Sequence, residues 1–231
     1  KKSFLDLKHV LKKNCILVIL SQVFPGFTEK IKWKKEQLFY QVETLIFGKG
    51  IDRAKNPEQI IVGNSSKIIP KKLEFFYKKF TKNLKVTDLK TAELSKITIN
   101  LYLISSITFA NYISAFCEKF GADFEFIEEI LRKDKRIGKY SYIKPGLGIL
   151  SGNLQRDLNN FSELIKRKKF NSTLADFWIK YSKLRSEWLI EVLKKIFKKY
   201  KNDTIGLLGL TYKEDISFLK NSPALKIIKK F

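Results

Sequence analysis

Apolar residues follow one pattern before Asp88 and another after it. Before it Cys15–Ile19 is a continuous run of strand length, Leu38–Val42 and Gln59–Val62 are further strand candidates, and Lys85–Thr87 is a shorter fourth. The uninterrupted run Cys15–Ile19 predicts a strand buried on both faces. Between them Gly48–Lys55 and Leu73–Leu84 read as helices, and shorter helices are expected over 4–14 and 28–35. Strand–helix–strand alternation predicts α/β architecture, here a partial, Rossmann-like parallel sheet covered by helices.

After Asp88 the period is helical. Thr91–Lys119 is a long candidate helix with no charge between Ile97 and Phe116. Its length would span a bilayer. However, Thr98, Asn100, Ser105, Ser106, Thr108, Asn111 and Ser114 interrupt it, which makes a membrane setting costly. A buried helix at a domain centre or subunit interface is expected instead. Further helices are expected over 123–132, 155–168 and 173–200. Thr204–Leu210 then reads as a new buried strand and Ser222–Lys229 as a helix with Pro223 in its first turn. The implied domains are 1–87, the C-terminal part of a sheet domain; 88–200, helical; and 201–231, the start of a second Rossmann-like domain.

Composition narrows the chemistry. The 231 residues are 44% hydrophobic, enough for a sizeable core, and carry a formal net charge of +23. The lysines are scattered along the whole chain, as at Lys12-Lys13, Lys78-Lys79 and Lys194-Lys195, which favours solvated faces over a nucleic-acid groove. The positive field would still attract phosphorylated metabolites. Cys15 and Cys117 sit in apolar runs and read as reduced thiols, and His9 is the only histidine. That excludes a zinc cluster and makes a Ser-His-Asp or Cys-His mechanism improbable. No signal peptide is visible, and a cytoplasmic location is expected. The chain has no methionine, and it reads as a fragment of a longer protein.

The densest local signal is Lys144-Pro145-Gly146-Leu147-Gly148-Ile149-Leu150-Ser151-Gly152-Asn153, which leads into Leu154-Gln155-Arg156-Asp157. Three close glycines in a lysine-rich chain imply tight turns or close approach. Asn153 reads as the N-cap of the following helix, with Arg156 and Asp157 in its first turn. Gly146-x-Gly148-x-x-x-Gly152 does not have the spacing of a dinucleotide fingerprint.

This segment resembles the catalytic-loop signature of the UDP-glucose/GDP-mannose dehydrogenase family. Other segments agree in order. Ser21–Thr28 is similar to that family's Ser-Thr-Val-Pro-x-Gly-Thr-Thr loop, and Val42–Gly48 to its Pro-Glu-Phe-Leu-x-Glu-Gly loop. Asn56–Gly63 resembles its Asn-Pro-x-x-Ile-Val-x-Gly strand. Ala92-Glu93-Leu94-Ser95-Lys96 with Asn100, and Cys117–Asp123, resemble its central helix. Gly209–Lys213 and Ser222-Pro223-Ala224 resemble the start of its sugar-nucleotide domain. The resemblance implies an NAD-binding sheet domain, a helical dimerisation domain that makes a homodimer, and an NDP-sugar substrate such as a UDP-sugar. It implies neither nucleic acid nor membrane as a partner, and no metal.

Carried over residue by residue, the resemblance places Lys96 and Asn100 at the developing oxyanion and Asp157 as base. Glu43 matches a loop carboxylate. Arg136, Gly148, Arg156 and Lys213 fall on the substrate side, and Gln22 and Lys220 on the cofactor side. The sequence departs from the family at Asn153, which stands where the nucleophilic cysteine is usual, and an amide is no nucleophile. Gln22 also replaces a threonine and Phe47 a glutamate. Three functions stay open: a dehydrogenase that stops at the aldehyde or hydrates it without a thioester, a non-catalytic nucleotide-sugar or NAD binder, and a polyanion-binding basic protein.

Overall fold

The computed structural model describes residues 9–46, 48–200, 204–211, 219 and 222–230. Lys1–Thr98 and Ile99–Phe231 form two compact units.

The first unit holds a four-stranded sheet: β1 Leu17–Ile19, β2 Leu38–Gln41, β3 Ile60–Gly63 and β4 Leu84–Thr87, in that spatial order. β1 and β2 are parallel, as are β3 and β4, but β2 and β3 run antiparallel, with Tyr40 opposite Gly63. The sheet is therefore mixed, where the sequence predicted a parallel one. The reason lies in the connection between β2 and β3. Its helix α1, Gly50–Lys55, has no buried residue and so does not pack on the sheet as a parallel crossover helix must. Phe39, Ile60 and Val62 build the core with Leu73 and Tyr77, which lie four apart on helix α2, Lys71–Lys78. The Tyr77 hydroxyl donates to Gln41 Oε1 at 2.9 Å, and burial pushes its pKa up to about 12.

The buried Asn64 amide ties the end of β3 to the start of β2. Its nitrogen donates to the carbonyls of Lys35 and Leu38 at 2.8 and 2.9 Å, and its oxygen accepts from the Ser66 N–H. The short helix expected over 28–35 is two separate 3₁₀ turns, Thr28–Lys30 and Lys35–Gln37. Of the helix expected over 4–14, residues 9–14 form turns and the rest lies outside the described residues. The lysines and Asn14 there give that stretch few apolar contacts to hold a helix.

Helix α3, Leu89–Phe120, is 32 residues long. It ends at Gly121 with φ 78, where the Gly121 and Ala122 amides both return to the Cys117 carbonyl. Helix α4, Phe124–Lys133, is capped by the Asp123 side chain, which accepts from the Glu125 N–H at 2.8 Å. Ala110, Cys117, Phe124 and Ile143 form a core in the second unit. Helix α5 is Gly152–Arg167, α6 Thr173–Tyr200 and α7 Pro223–Ile228. Ser222 caps α7 through its hydroxyl, which accepts from the Leu225 N–H.

Thr204–Leu210, expected to be a strand, is irregular and largely exposed, with Leu208 fully open to solvent. An isolated apolar segment cannot be a strand without a neighbour to share its backbone hydrogen bonds, and no described residue supplies one.

Candidate active site

The structure joins two of the predicted residues directly. Asn100 on α3 and Asp157 on α5 are both buried, 7% and 0% exposed, and the Asn100 amide nitrogen donates to Asp157 Oδ2. Asp157 Oδ1 has no hydrogen-bond partner; its near neighbour is Arg156 Nε at 3.6 Å. One oxygen of this buried carboxylate is thus hydrogen-bonded and the other lies beside the Arg156 guanidinium without a hydrogen bond, an arrangement open to a proton donor. Leu154, Leu158 and Ile165 bury the same face of α5 as Asp157, which sets the carboxylate inward. Asn153 is exposed, one turn before Asp157.

Asn153 is not the N-cap. Ser151 has the extended backbone of a cap, ψ 122, and its carbonyl accepts the first helical bond from Gln155 N–H. The helix thus begins at Gly152, two residues earlier than the cap preference of asparagine indicated, and Arg156 and Asp157 fall in its second turn.

The glycine-rich loop before α5 is held at three points by side chains the sequence did not single out as functional. Asn111 Oδ1 accepts from the Gly146 N–H at 2.7 Å, and Arg185 Nε donates to the Gly146 carbonyl at 3.0 Å. The Ser182 hydroxyl accepts from the Ile149 N–H at 2.9 Å. Arg185 is only 7% exposed, stacks on Trp188 with 4.2 Å from guanidinium carbon to ring centre, and pairs with Glu118 at 3.7 Å. Gly148 has φ 89, and a Cβ there would sit 2.7 Å from the Ser182 carbonyl oxygen. Its glycine is thus required by packing against α6. Asn111 was visible in sequence only as a polar interruption of an apolar helix, and Ser182 and Arg185 carried no signal.

Lys96 lies one turn before Asn100 along α3 and is partly buried. Arg136 is almost fully exposed and bonds Asp134 through two nitrogens, at 3.0 and 2.6 Å. That pairing holds the Asp134 carboxyl below its usual pKa and lifts the guanidinium above its own. Glu43 Oε1 accepts from its neighbour, the Thr44 N–H. Gln22 is half-buried in the loop after β1. Lys213, Lys220 and Phe47 lie outside the described residues. No group of three or more His, Cys, Asp or Glu side chains placed to hold a metal occurs among the described residues.

Comparison with known proteins shows what this chain is similar to. Residues 90–182, which include Lys96, Asn100, the glycine loop and Asp157, match the family described as "UDP-glucose/GDP-mannose dehydrogenase family, central domain". The chain is 31% identical to the UDP-glucose 6-dehydrogenase of Rickettsia bellii over 229 residues, covering 95% of this chain and 52% of that protein. It is similar in fold to a UDP-glucose dehydrogenase of Pyrobaculum islandicum, with TM-score 0.81 and 21% identity, over 92% of this chain and 51% of that one. A UDP-D-ManNAc dehydrogenase of Pyrococcus horikoshii also matches, with TM-score 0.81 and 19% identity, over 99% of this chain and 57% of that one. The chain spans about half the length of the curated relatives it matches.

The grip on the loop yields a paired expectation. In the intact protein, Gly148→Ala lowers stability by about 2–4 kcal/mol, from a left-handed backbone plus overpacking against a carbonyl that cannot move aside. Gly146→Ala, where an added Cβ meets nothing within 4 Å, stays within about 1 kcal/mol. Chemical denaturation of both variants measures the difference, and equal losses would contradict the packing account.

Proposed function

Because this chain belongs to the UDP-glucose/GDP-mannose dehydrogenase family, we propose that the intact protein is an NAD-dependent nucleotide-sugar dehydrogenase. In this reading it oxidises a UDP-sugar hydroxyl once and forms no thioester. The observation that carries the proposal is the buried Asn100–Asp157 pair, whose Asp157 lies on a helix that presents Asn153 one turn earlier in place of a thiol. Without a sulfur nucleophile the aldehyde is not trapped covalently, and in this reading it leaves the site after the first oxidation instead of being hydrated and oxidised again.

The loop after β1 fits a cofactor. Its Thr28 hydroxyl is buried and has no hydrogen-bond partner in the protein, and ligands of open α/β sheets bind beyond strand ends of this kind. Gln22 in that loop, with Lys220, would hold NAD. NAD⁺, when bound, would supply the hydride acceptor for oxidation at the sugar carbon. Lys96 neutralises the oxygen as it loses its proton, Asn100 fixes the Asp157 carboxylate, and Asp157 Oδ1 receives the hydroxyl proton. Arg136, Arg156 and Lys213 supply cations for the nucleotide diphosphate.

The protein acts as a homodimer. Tyr102, Phe109, Tyr112, Phe116 and Phe120 recur along one stripe of α3, and each is more than half exposed. An aromatic stripe of that size on a helix otherwise packed in a core fits a self-complementary interface. The helix is apolar enough to cross a membrane, yet 39% of its most apolar window is already buried inside the protein. A second copy of the chain completes that burial. Free Cys15 and Cys117 fit a reducing, cytoplasmic compartment.

Two experiments on the intact protein check these readings. With UDP-glucose and NAD⁺ it forms NADH, and Lys96→Ala cuts kcat by about 100-fold while the sugar-nucleotide Kd moves less than about threefold. Nucleotide-sugar binding without any NADH would make the protein a non-catalytic homologue. In sedimentation the wild type runs as a dimer and Phe109→Glu with Phe116→Glu as a monomer; a monomeric wild type at micromolar concentration rules the interface out.

A further inference from the structure

Glu93 is fully buried on α3, and both of its carboxylate oxygens are spent on one loop. Oε1 accepts from the Thr28 N–H at 2.8 Å, and Oε2 accepts from the Gly26 N–H. The loop is shaped for this. Gly26 has φ 83 and Phe27 has φ −76, ψ −46, so successive residues of opposite hand curl the chain. Such a curl aims the first and third amides into one concavity, a backbone nest that selects an anion. Glu93 is the anion in this nest, delivered from a position more than sixty residues away in sequence.

Resting on the proposed dehydrogenase function, we propose that Glu93 is a positioning residue for the reaction. It fixes the loop that carries Gln22 and Thr28 to the helical turn that carries Lys96, three residues on. Residues i and i+3 share a helix face, so the carboxylate sets the loop and the Lys96 turn in one frame. It also keeps the nest filled, so phosphate groups are excluded from the Gly26 and Thr28 amides and the loop meets its ligand through side chains alone. The position tolerates little else. Glutamine would set an NH₂ group against one of the two N–H donors, and aspartate is one methylene too short to reach both.

The test uses the intact protein. In the wild type, hydrogen exchange reports the Gly26 and Thr28 amides as slowly exchanging; fast exchange at both overturns the clamp without any variant. In Glu93→Gln those two amides lose protection and the KM for NAD⁺ rises about tenfold, while the Kd for UDP-glucose stays within about twofold. Acetate added to Glu93→Ala refills the nest and restores a measurable part of the NAD⁺ affinity. A role in folding alone would lower stability in these variants without a cofactor-specific KM effect or acetate rescue, and that outcome overturns the positioning role. If the wild type forms no NADH, the proposed function fails, and the exchange data still decide whether Glu93 holds the loop.

Discussion

The hydrogen bond from Asn100 to Asp157 is the contact on which the site depends. It joins α3 to α5 between side chains with little or no access to water, where an unpartnered carboxylate would be costly. Breaking it from the Asn100 side would leave the buried Asp157 without that hydrogen bond, beside Arg156 at 3.6 Å. Together with the burial of Leu154, Leu158 and Ile165 it fixes which face of α5 turns inward and therefore where Asn153, one turn earlier, is presented. The chemistry follows from what occupies the two positions. In the proposed function Asp157 is the carboxylate that accepts the proton, and position 153 holds an amide, which forms no covalent bond to carbon.

Two further arrangements depend on the same economy, in which backbone amides are held by distant polar side chains. Asn111 and Arg185 grip both polar atoms of the Gly146 residue, and Ser182 holds Ile149, so α3 and α6 define the loop that starts α5. In the sheet unit Glu93 does the same for Gly26 and Thr28, and Asn64 for Lys35 and Leu38. Loops tied in this way lose less of their geometry to thermal motion than loops held by packing alone.

Much of the fold could be read from the sequence because its signals are local. Leu38–Gln41, Ile60–Gly63 and the long helix α3 form close to where apolar runs and helical spacing predicted them. The direction of the β2–β3 pair could not be read, since an apolar run is the same in either orientation; only the unburied helix α1 between them shows why no crossover forms. Thr204–Leu210 has a strand's composition but no partner among the described residues. Lys96, Asn100, Asp157 and the glycine loop were singled out through resemblance, and of these the structure brings Asn100 and Asp157 into a hydrogen bond. Asn111, Ser182 and Arg185 were not singled out, because their bonds to the loop cross 33 to 39 residues and no periodic pattern marks such pairings. Asn153 misled in one respect: its cap preference pointed to a helix start that Ser151 supplies instead.

The most direct test of the account is the number of NADH molecules formed per UDP-glucose consumed by the intact protein. One NADH per sugar, with an aldehyde product trapped by hydrazine, is the predicted result for a site with Asp157 as base and no thiol at position 153. Two NADH per sugar would mean that the acid is made, and would contradict the claim that Asn153 ends the reaction at the first oxidation.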